Sequence, residues 1–170
     1  SFGYVLLGVL IQNVTGEFAN DYIINHIAKP LGMTETAFHP TREMLSKHLI
    51  YDEEYEKYIE RSIKQNEQGL PSEDDATIWK QVPRTAGGLH SNVLDLIKFA
   101  KMLCNGGRYK DVRILGRMSI EKMAEHQLVH MPDFCWGNKG RDRLYGLGPD
   151  LRRGVAIITS EKFFFHEGSG

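Results

Sequence analysis

The alternation of apolar and polar positions predicts helices through the first part of the chain. Residues 3–16 (GYVLLGVLIQNVTG) are apolar on nearly every face until Gln12, a pattern typical of a buried helix. Gly16 is a suitable stop for this helix. A second helix is expected over residues 17–29, started by Thr15 and ended before the turn at PLGM. Its apolar stripe consists of Phe18, Tyr22, Ile23 and Ile27.

The middle of the chain is less regular. A short helix is expected after Pro40, capped by Thr41. Its inward residues would be Met44, Leu45 and Leu49. Residues 51–68 carry many charges with tyrosines at helical spacing, which indicates an amphipathic or partly loose helix, and residues 69–77 have a loop composition. We interpret the acidic residues here as a solvated face rather than a cation site.

The clearest element lies within residues 85–107 (TAGGLHSNVLDLIKFAKMLCNGG). Gly87 and Gly88 permit a tight turn, Ser91 is a suitable helix cap, and the final Asn-Gly-Gly stops the helix. The predicted inward face consists of Val93, Leu94, Ile97, Ala100 and Leu103 or Cys104.

The C-terminal third predicts a helix over residues 119–128, capped by Ser119, and then short strands. The strands are expected over residues 143–151, 154–160 and 162–168. The predicted fold class is therefore α+β, mostly helical with a C-terminal antiparallel β-meander. We treat residues 1–170 as one piece of a domain, with a mainly helical lobe over 1–128 and antiparallel strands over 143–168.

Composition narrows the class of protein. The chain has 170 residues, 41% hydrophobic and 25% charged, with a formal net charge of −1. This balance is that of a globular domain and gives no support to a nucleic-acid surface. The two cysteines are too few for a disulfide scaffold, and no run is long enough for a membrane span. Both ends resemble cuts through a larger protein, so we expect catalytic residues outside the chain.

Several stretches, taken in order, resemble one family. They are SFGYVLLGVLIQNVTG, IAKPLGM, TAGGLHSNVLDLIKFAKMLCNGG, YGLG and HEG. They are similar to serine β-lactamase-related proteins: class C β-lactamases, low-molecular-weight penicillin-binding proteins (DD-peptidases) and related esterases. The resemblance covers residues 1–38 and 82–170. It implies an incomplete piece of the β-lactamase/transpeptidase-like fold, no cofactor, and a location outside the cytoplasm or in the periplasm.

The resemblance also implies site residues for acyl transfer. His166 and Gly168 match the family's His-x-Gly, with His166 as a catalytic and substrate-binding donor and Gly168 allowing close approach of the substrate. Ser1 falls at the third position of Tyr-x-Asn or Tyr-x-Ser, although it is equally well read as a helix cap or a residue left by cloning. Gly87 and Gly88 would shape the site and contact substrate.

The family's nucleophilic Ser-x-x-Lys is the main gap. The chain contains one such pattern, Ser119 to Lys122, but it follows Ser1 where the family's motif precedes the tyrosine motif. Ser119 is also explained as a helix cap. We therefore expect the nucleophile upstream of Ser1 and expect the isolated chain to be inactive.

Other functions are open at this stage. One is a non-catalytic binding or sensor domain with the same fold, and another is an unrelated helical domain. A zinc site from His126, His130, Asp133 and Cys135 matches no strong zinc spacing. The expected partners are small-molecule or peptide substrates with an acyl group, without nucleic acid or membrane span. Self-association through an apolar edge that includes residues 163–165 is also expected.

Overall fold

The computed structural model describes residues 2–38, 40–47, 83, 85–127, 145–149 and 151, together with residues 53, 54, 56, 57, 60 and 61. The helices are α1 (Phe2–Thr15), α2 (Ala19–Ile23), a π-helical turn (Ile24–Ala28), α3 (Arg42–Ser46), α4 (Val93–Cys104) and α5 (Arg117–Met123). The strands are β1 (Arg108–Tyr109) and β2 (Val112–Arg113). The chain divides into two compact units, residues 1–101 and 102–170.

Helix α1 forms where the apolar run predicted it, but it is not buried. Gly16 ends the helix at φ +73°, as expected for a glycine just past a helix C-terminus. Among the residues of α1 only Gly8 is buried, whereas Phe2 is 74% and Val14 76% exposed. The prediction of a buried helix is therefore wrong for the described structure, because an all-round apolar pattern requires neighbours on every side and cannot itself supply them.

No single helix in the described part of the chain is long and apolar enough to cross a bilayer. Helix α1 and the helical stretch Ala19–Ala28 reach that length and apolar composition only when they are taken together, and they are bent by 83° at the break between them.

The second predicted helix is present but begins later and changes type. Its N-cap is Phe18, with extended backbone and no side-chain cap, while Thr15 is the last residue of α1. After Ile23 the helix continues as one π-helical turn. Across this turn the carboxylate of Glu17 accepts hydrogen bonds from Asn25 (2.7 Å) and pairs with His26 (2.9 Å), which ties the helical stretch to the end of α1.

The cap of α3 is confirmed. The Thr41 hydroxyl oxygen accepts the backbone N–H of Met44 at 3.2 Å, and Leu45 is 1% exposed. The buried apolar residues of the first unit are Ala19, Ala28, Leu31, Met33, Phe38 and Leu45. In the charged segment, the six described positions between 53 and 61 are helical and exposed, as a solvated helical face requires, while the predicted loop over 69–77 lies outside the described residues.

Two predictions for helix α4 are wrong. Its cap is Asn92, whose side-chain oxygen accepts the N–H of Asp95 at 2.8 Å, and not Ser91. Its predicted inward residues Val93 and Leu94 are each 71% exposed, whereas Asp95 is 2% and Met102 1% exposed. The reason is that hydrogen bonds to the Asp95 carboxylate hold that face inward, so the polar network overrides the apolar periodicity.

The second unit contains a hairpin that the pattern did not predict. Gly106 and Gly107 stop α4 at φ +61° and +88°, as expected. Strands β1 and β2 then pair antiparallel, with Arg108 opposite Arg113. Two-residue strands carry too little alternation to be read from sequence.

Helix α5 starts at Arg117, after Gly116 in extended conformation and without a side-chain cap. Ser119 lies inside the helix, so its predicted role as cap is wrong. The extended Gly116 and the Gly116 carbonyl, which accepts the N–H of Ser119 at 3.1 Å, begin the helix one turn earlier. The helix also ends at Met123, short of the expected residue 128.

The described part of the predicted strand 143–151 is a turn. The Gly146 N–H donates to the Pro149 carbonyl at 2.8 Å, and only Tyr145 pairs in strand fashion, accepting the N–H of Gln127 at 2.8 Å. The strands expected over 154–160 and 162–168 lie outside the described residues, so the meander stays a prediction. The described residues thus give a partly helical structure with one small antiparallel sheet.

Candidate functional site

The expected site residues fall into two groups. Gly87 and Gly88 lie in the described turn that follows Thr85. Ser1, His166 and Gly168 lie outside the described residues, so their roles stay predictions. The part of the candidate site that the structure describes is therefore the glycine turn together with the contact of helix α1 on the segment before it.

Helix α1 is in direct contact with the segment before the glycine turn. The Thr85 hydroxyl donates a hydrogen bond to the backbone carbonyl of Tyr4, in the first turn of α1. One turn further on, a Cβ at Gly8 would lie 2.5 Å from Cγ of Pro83 and 2.7 Å from Oγ1 of Thr85. Only glycine permits this approach, which brings together two stretches that are far apart in sequence.

Tyr4 is part of α1 and is 37% exposed. The contribution of Tyr4 to this contact is its backbone carbonyl, which no side-chain pattern reveals.

The glycine turn combines a constrained backbone with open space. Gly88 has φ +80°, a left-handed conformation that a side chain would disfavour. Gly87 has no heavy atom within 4 Å of where its Cβ would be, and both glycines are exposed. The backbone at Gly87 is consequently accessible to a molecule approaching from solvent, which is the property that a substrate-binding turn needs.

Two contacts on its C-terminal side hold the turn in place. His90 and Ala37 form a β-bridge with two backbone hydrogen bonds of 2.8 and 3.0 Å. Beside it, the hydroxyls of Thr36 and Ser91 share a hydrogen bond of 2.7 Å. The turn is thus fixed on one side by α1 and on the other by residues 36–37.

The buried carboxylate of Asp95 organises this second anchor. It accepts the Glu35 N–H at 2.8 Å and the Thr36 hydroxyl at 3.0 Å, and it pairs with the Lys98 ammonium at 2.7 Å. Lys98 also donates to the carbonyl of Gly32. Burial opposes ionisation of Asp95, but the hydrogen bonds from Lys98, Glu35 and Thr36 outweigh it and hold the pKa of the carboxyl below its ordinary value.

Sequence reasoning missed Asp95 because the apolar residues around it defined the face of α4. A usable signal was nevertheless present. Asp95 stands three residues after Asn92 and three before Lys98, which places a cap, a carboxylate and a cation in the first turns of one helix.

Neither the Ser-x-x-Lys pattern at Ser119 nor the possible zinc site at His126 gains support from the described residues. Ser119 and Lys122 are both exposed, and the Lys122 ammonium is paired with Glu125 at 2.6 Å. His126 lies beyond the end of α5, and its Nδ1 accepts the Tyr145 N–H at 3.1 Å. His130, Asp133 and Cys135 lie outside the described residues, and within the described ones no group of three or more metal-binding side chains is found.

The chain is similar to several known proteins. The family model described as Beta-lactamase matches residues 1–170. The chain is 26% identical over 129 residues to the "Putative D-alanyl-D-alanine carboxypeptidase" of Escherichia coli (strain K12), an alignment that covers 69% of this chain and 29% of that protein. It is 30% identical over 125 residues to the "Putative penicillin-binding protein PbpX" of Bacillus subtilis (strain 168), covering 71% of this chain and 26% of that protein.

A solved structure is similar as well. It is that of the octameric penicillin-binding protein homologue from Pyrococcus abyssi, with a TM-score of 0.52 and 27% identity, covering 88% of this chain and 29% of that one. The chain spans less than a third of the length of each of these three relatives. Since the family model extends over all 170 residues, the chain belongs to the Beta-lactamase family.

Proposed function

We propose that this chain is part of a serine hydrolase that forms an acyl-enzyme on D-Ala-D-Ala peptides, β-lactams or simple esters. The observation that carries the proposal is the contact of α1 with the segment before Gly87, through Thr85 to Tyr4 and through the close approach at Gly8. It joins two of the stretches that resemble the family. The names of the relatives, carboxypeptidase and penicillin-binding protein, favour peptide and β-lactam substrates.

The chemistry proposed is acyl transfer. A serine hydroxyl attacks the substrate carbonyl after a neighbouring base takes its proton, and fixed N–H donors stabilise the oxyanion. We assign the nucleophilic Ser-x-x-Lys to sequence before Ser1, with Ser1 as the last residue of the tyrosine motif. His166 would donate a hydrogen bond to substrate or oxyanion, and Gly168 would admit the substrate backbone.

The glycine turn would form a wall of the same cleft. The accessible backbone at Gly87 would form a hydrogen bond with an extended peptide substrate. The left-handed conformation of Gly88 would then turn the protein chain away from that peptide. Positioning the turn from both sides reduces the reorganisation required when substrate binds, which is how a preformed site gains rate.

The test is covalent labelling. The 170-residue chain is incubated with a fluorescent penicillin beside a longer polypeptide that includes the residues preceding Ser1. We expect label on the longer protein alone, at a serine before Ser1. Label on the short chain that disappears in Ser119→Ala would show that the nucleophile had been assigned to the wrong serine.

The alternative of a binding or sensor domain is separated by the same experiment. A longer protein that binds penicillin reversibly, without acylation or turnover, would favour that alternative. Sequence preceding Ser1 that lacks Ser-x-x-Lys would point the same way.

Self-association is a further part of the proposal. Exposed apolar residues along α1, including Leu6 (53%) and Leu10 (56%), and the octameric state of the Pyrococcus abyssi homologue support it. Light scattering after size exclusion should give a mass above 19.4 kDa, and Leu6→Gln with Leu10→Gln should lower it. A monomer at all concentrations would exclude this part of the proposal.

A further inference from the structure

The β1–β2 hairpin and the start of α5 concentrate positive charge in a chain whose net charge is −1. Residues 108–117 (RYKDVRILGR) contain four cations and one carboxylate. We call Arg108, Lys110, Arg113 and Arg117 the cationic hairpin. All four are exposed.

The register of the hairpin sets two of these cations against each other. Arg108 and Arg113 are direct cross-strand partners, an arrangement of like charges that destabilises a sheet. Arg108 pairs with the carboxylate of Asp111 at the long distance of 3.8 Å, and the Asp111 side chain is fully exposed. The pairing is therefore retained in spite of a local electrostatic cost.

Backbone carbonyls anchor two of the three guanidinium groups, those of Arg108 and Arg113. Arg113 donates to the carbonyls of Gly106 and Leu115 at 3.2 and 3.1 Å, and the Arg117 side chain lies 3.5 Å from where a Cβ of Gly106 would be. Arg108 donates through Nε to the carbonyl of Lys110 at 2.9 Å. A guanidinium has five N–H donors, so these anchors leave donors free for an anion.

The turn of the hairpin has a second local cost. Lys110 is the one non-glycine residue with positive φ (+51°) in the described part of the chain, a conformation in which glycine or asparagine is preferred. Its ammonium lies 5.5 Å from the ring centre of Tyr109, so it stays beside the hairpin. Departures from local preference are expected where a residue serves a function, and both departures here retain a cation.

An exposed apolar side chain adjoins these charges. Met118 follows Arg117 in the first turn of α5 and is 82% exposed, the highest value among the large hydrophobic residues that the structure describes as exposed. Cations attract anionic headgroups, while an apolar side chain beside them enters the acyl boundary. A soluble polyanion would use the charges and leave Met118 in water.

We propose that the cationic hairpin and Met118 form a surface that binds an anionic lipid bilayer peripherally. This inference does not depend on the acyl-transfer chemistry, since it concerns residues outside the candidate site.

The test is co-sedimentation of the 170-residue chain with vesicles of phosphatidylcholine, with and without phosphatidylserine. We expect binding that requires phosphatidylserine, weakens with salt, and falls about fivefold for each cation removed. Lys110→Gly is the decisive variant, because it removes the charge and also relieves the positive φ. It should bind more weakly while unfolding at an equal or higher temperature.

Two further variants separate charge from apolar contact. Met118→Ser should weaken vesicle binding while leaving the charge unchanged. Lys29→Gln removes one exposed cation from the first unit and should bind like the parent chain. Circular dichroism of each variant establishes that it is folded.

Three results would overturn the proposal. The first is equal binding to neutral vesicles, and the second is unchanged binding of Lys110→Gly. The third is unchanged binding of Met118→Ser together with full displacement from the vesicles by polyphosphate at matched phosphate concentration, which would assign the surface to soluble polyanions.

Discussion

Removing the carboxylate of Asp95 should destabilise the chain more than any other single change to a charged group in its described part. Asp95 is 2% exposed, and its carboxylate joins α4 to Glu35 and Thr36 through two donors. It also pairs with Lys98 in the same helix, whose ammonium donates to the carbonyl of Gly32. In Asp95→Ala the Lys98 ammonium, the Glu35 N–H and the Thr36 hydroxyl all lose their acceptor. The ammonium is the costliest of these, since Lys98 is only 27% exposed.

The expected loss in the free energy of unfolding follows from the donors that are left without an acceptor. Breaking a buried ion pair by removing one partner costs about 3–5 kcal/mol. Asp95→Asn keeps an oxygen for the Glu35 N–H and loses the charge opposite Lys98, so we expect the smaller cost of about 1–3 kcal/mol typical of a lost charged hydrogen bond. Domains are stable by about 5–15 kcal/mol, so Asp95→Ala removes a large share of the total.

The same network gives a pH dependence of known sign. Burial raises the pKa of Asp95, but the hydrogen bonds from Lys98, Glu35 and Thr36 together outweigh burial and leave the pKa lower in the folded chain than its ordinary value. Its stabilising contribution is therefore present above the unfolded pKa of about 3.9 and is lost as pH falls through the folded pKa. The stability difference between the parent chain and Asp95→Asn should shrink as pH falls below about 4.

Urea denaturation followed by circular dichroism measures both effects. The midpoint should fall while the m-value is unchanged, since the change affects stability and not the surface exposed. Glu43→Gln is the matched control, because its carboxylate pairs with Lys47 at 2.9 Å on the surface and should shift the midpoint little. If Asp95→Ala moves the midpoint no more than Glu43→Gln does, the Asp95 network is not what holds α4.

Three further changes test close contacts. Gly8→Ala should destabilise the chain, measured by thermal unfolding, because its Cβ would lie 2.5 Å from Cγ of Pro83. Gly107→Ala should have a larger effect in the same assay, because a Cβ would lie 2.1 Å from the Leu115 carbonyl oxygen at φ +88°. His126→Ala should speed amide hydrogen exchange at the backbone N–H of Tyr145, which donates a hydrogen bond to Nδ1 of His126.

Each of these changes has its own control. Gly3→Ala lies in the same helix with nothing within 4 Å and should stabilise it by up to about 1 kcal/mol. Gly87→Ala meets nothing within 4 Å and should be far milder than Gly107→Ala. His126→Asn offers an oxygen near the position of Nδ1 and should restore slow exchange. A destabilised Gly3→Ala, a tolerated Gly107→Ala or fast exchange in His126→Asn would contradict the geometry described.

Local chemistry predicted the glycine-terminated ends of helices well, whereas three of the four predicted caps, Thr15, Ser91 and Ser119, were wrong. Glycines at 16, 106 and 107 stop helices with positive φ, and the Thr41 hydroxyl caps α3. Such signals are readable because they satisfy backbone groups a few residues away. The family followed from the order of several such stretches, and it is shown by a match over residues 1–170.

The faces of the helices were predicted poorly. The pattern placed Val93 and Leu94 inward and left Asp95 outward, and the structure has the reverse. Periodicity identifies an apolar face but contains no information about a carboxylate whose partners, such as Glu35 and Thr36, lie about sixty residues away.

The sequence by itself determined which helices stop at a glycine and which family the chain resembles, because short-range backbone chemistry and motif order are properties of the chain. Tertiary structure alone decided that Gly8 admits Pro83, that Thr85 reaches the carbonyl of Tyr4, and that Asp95 is buried. Each of these depends on which distant groups meet. The free energy of such a contact belongs to the pair and cannot be assigned to either residue before the chain has folded.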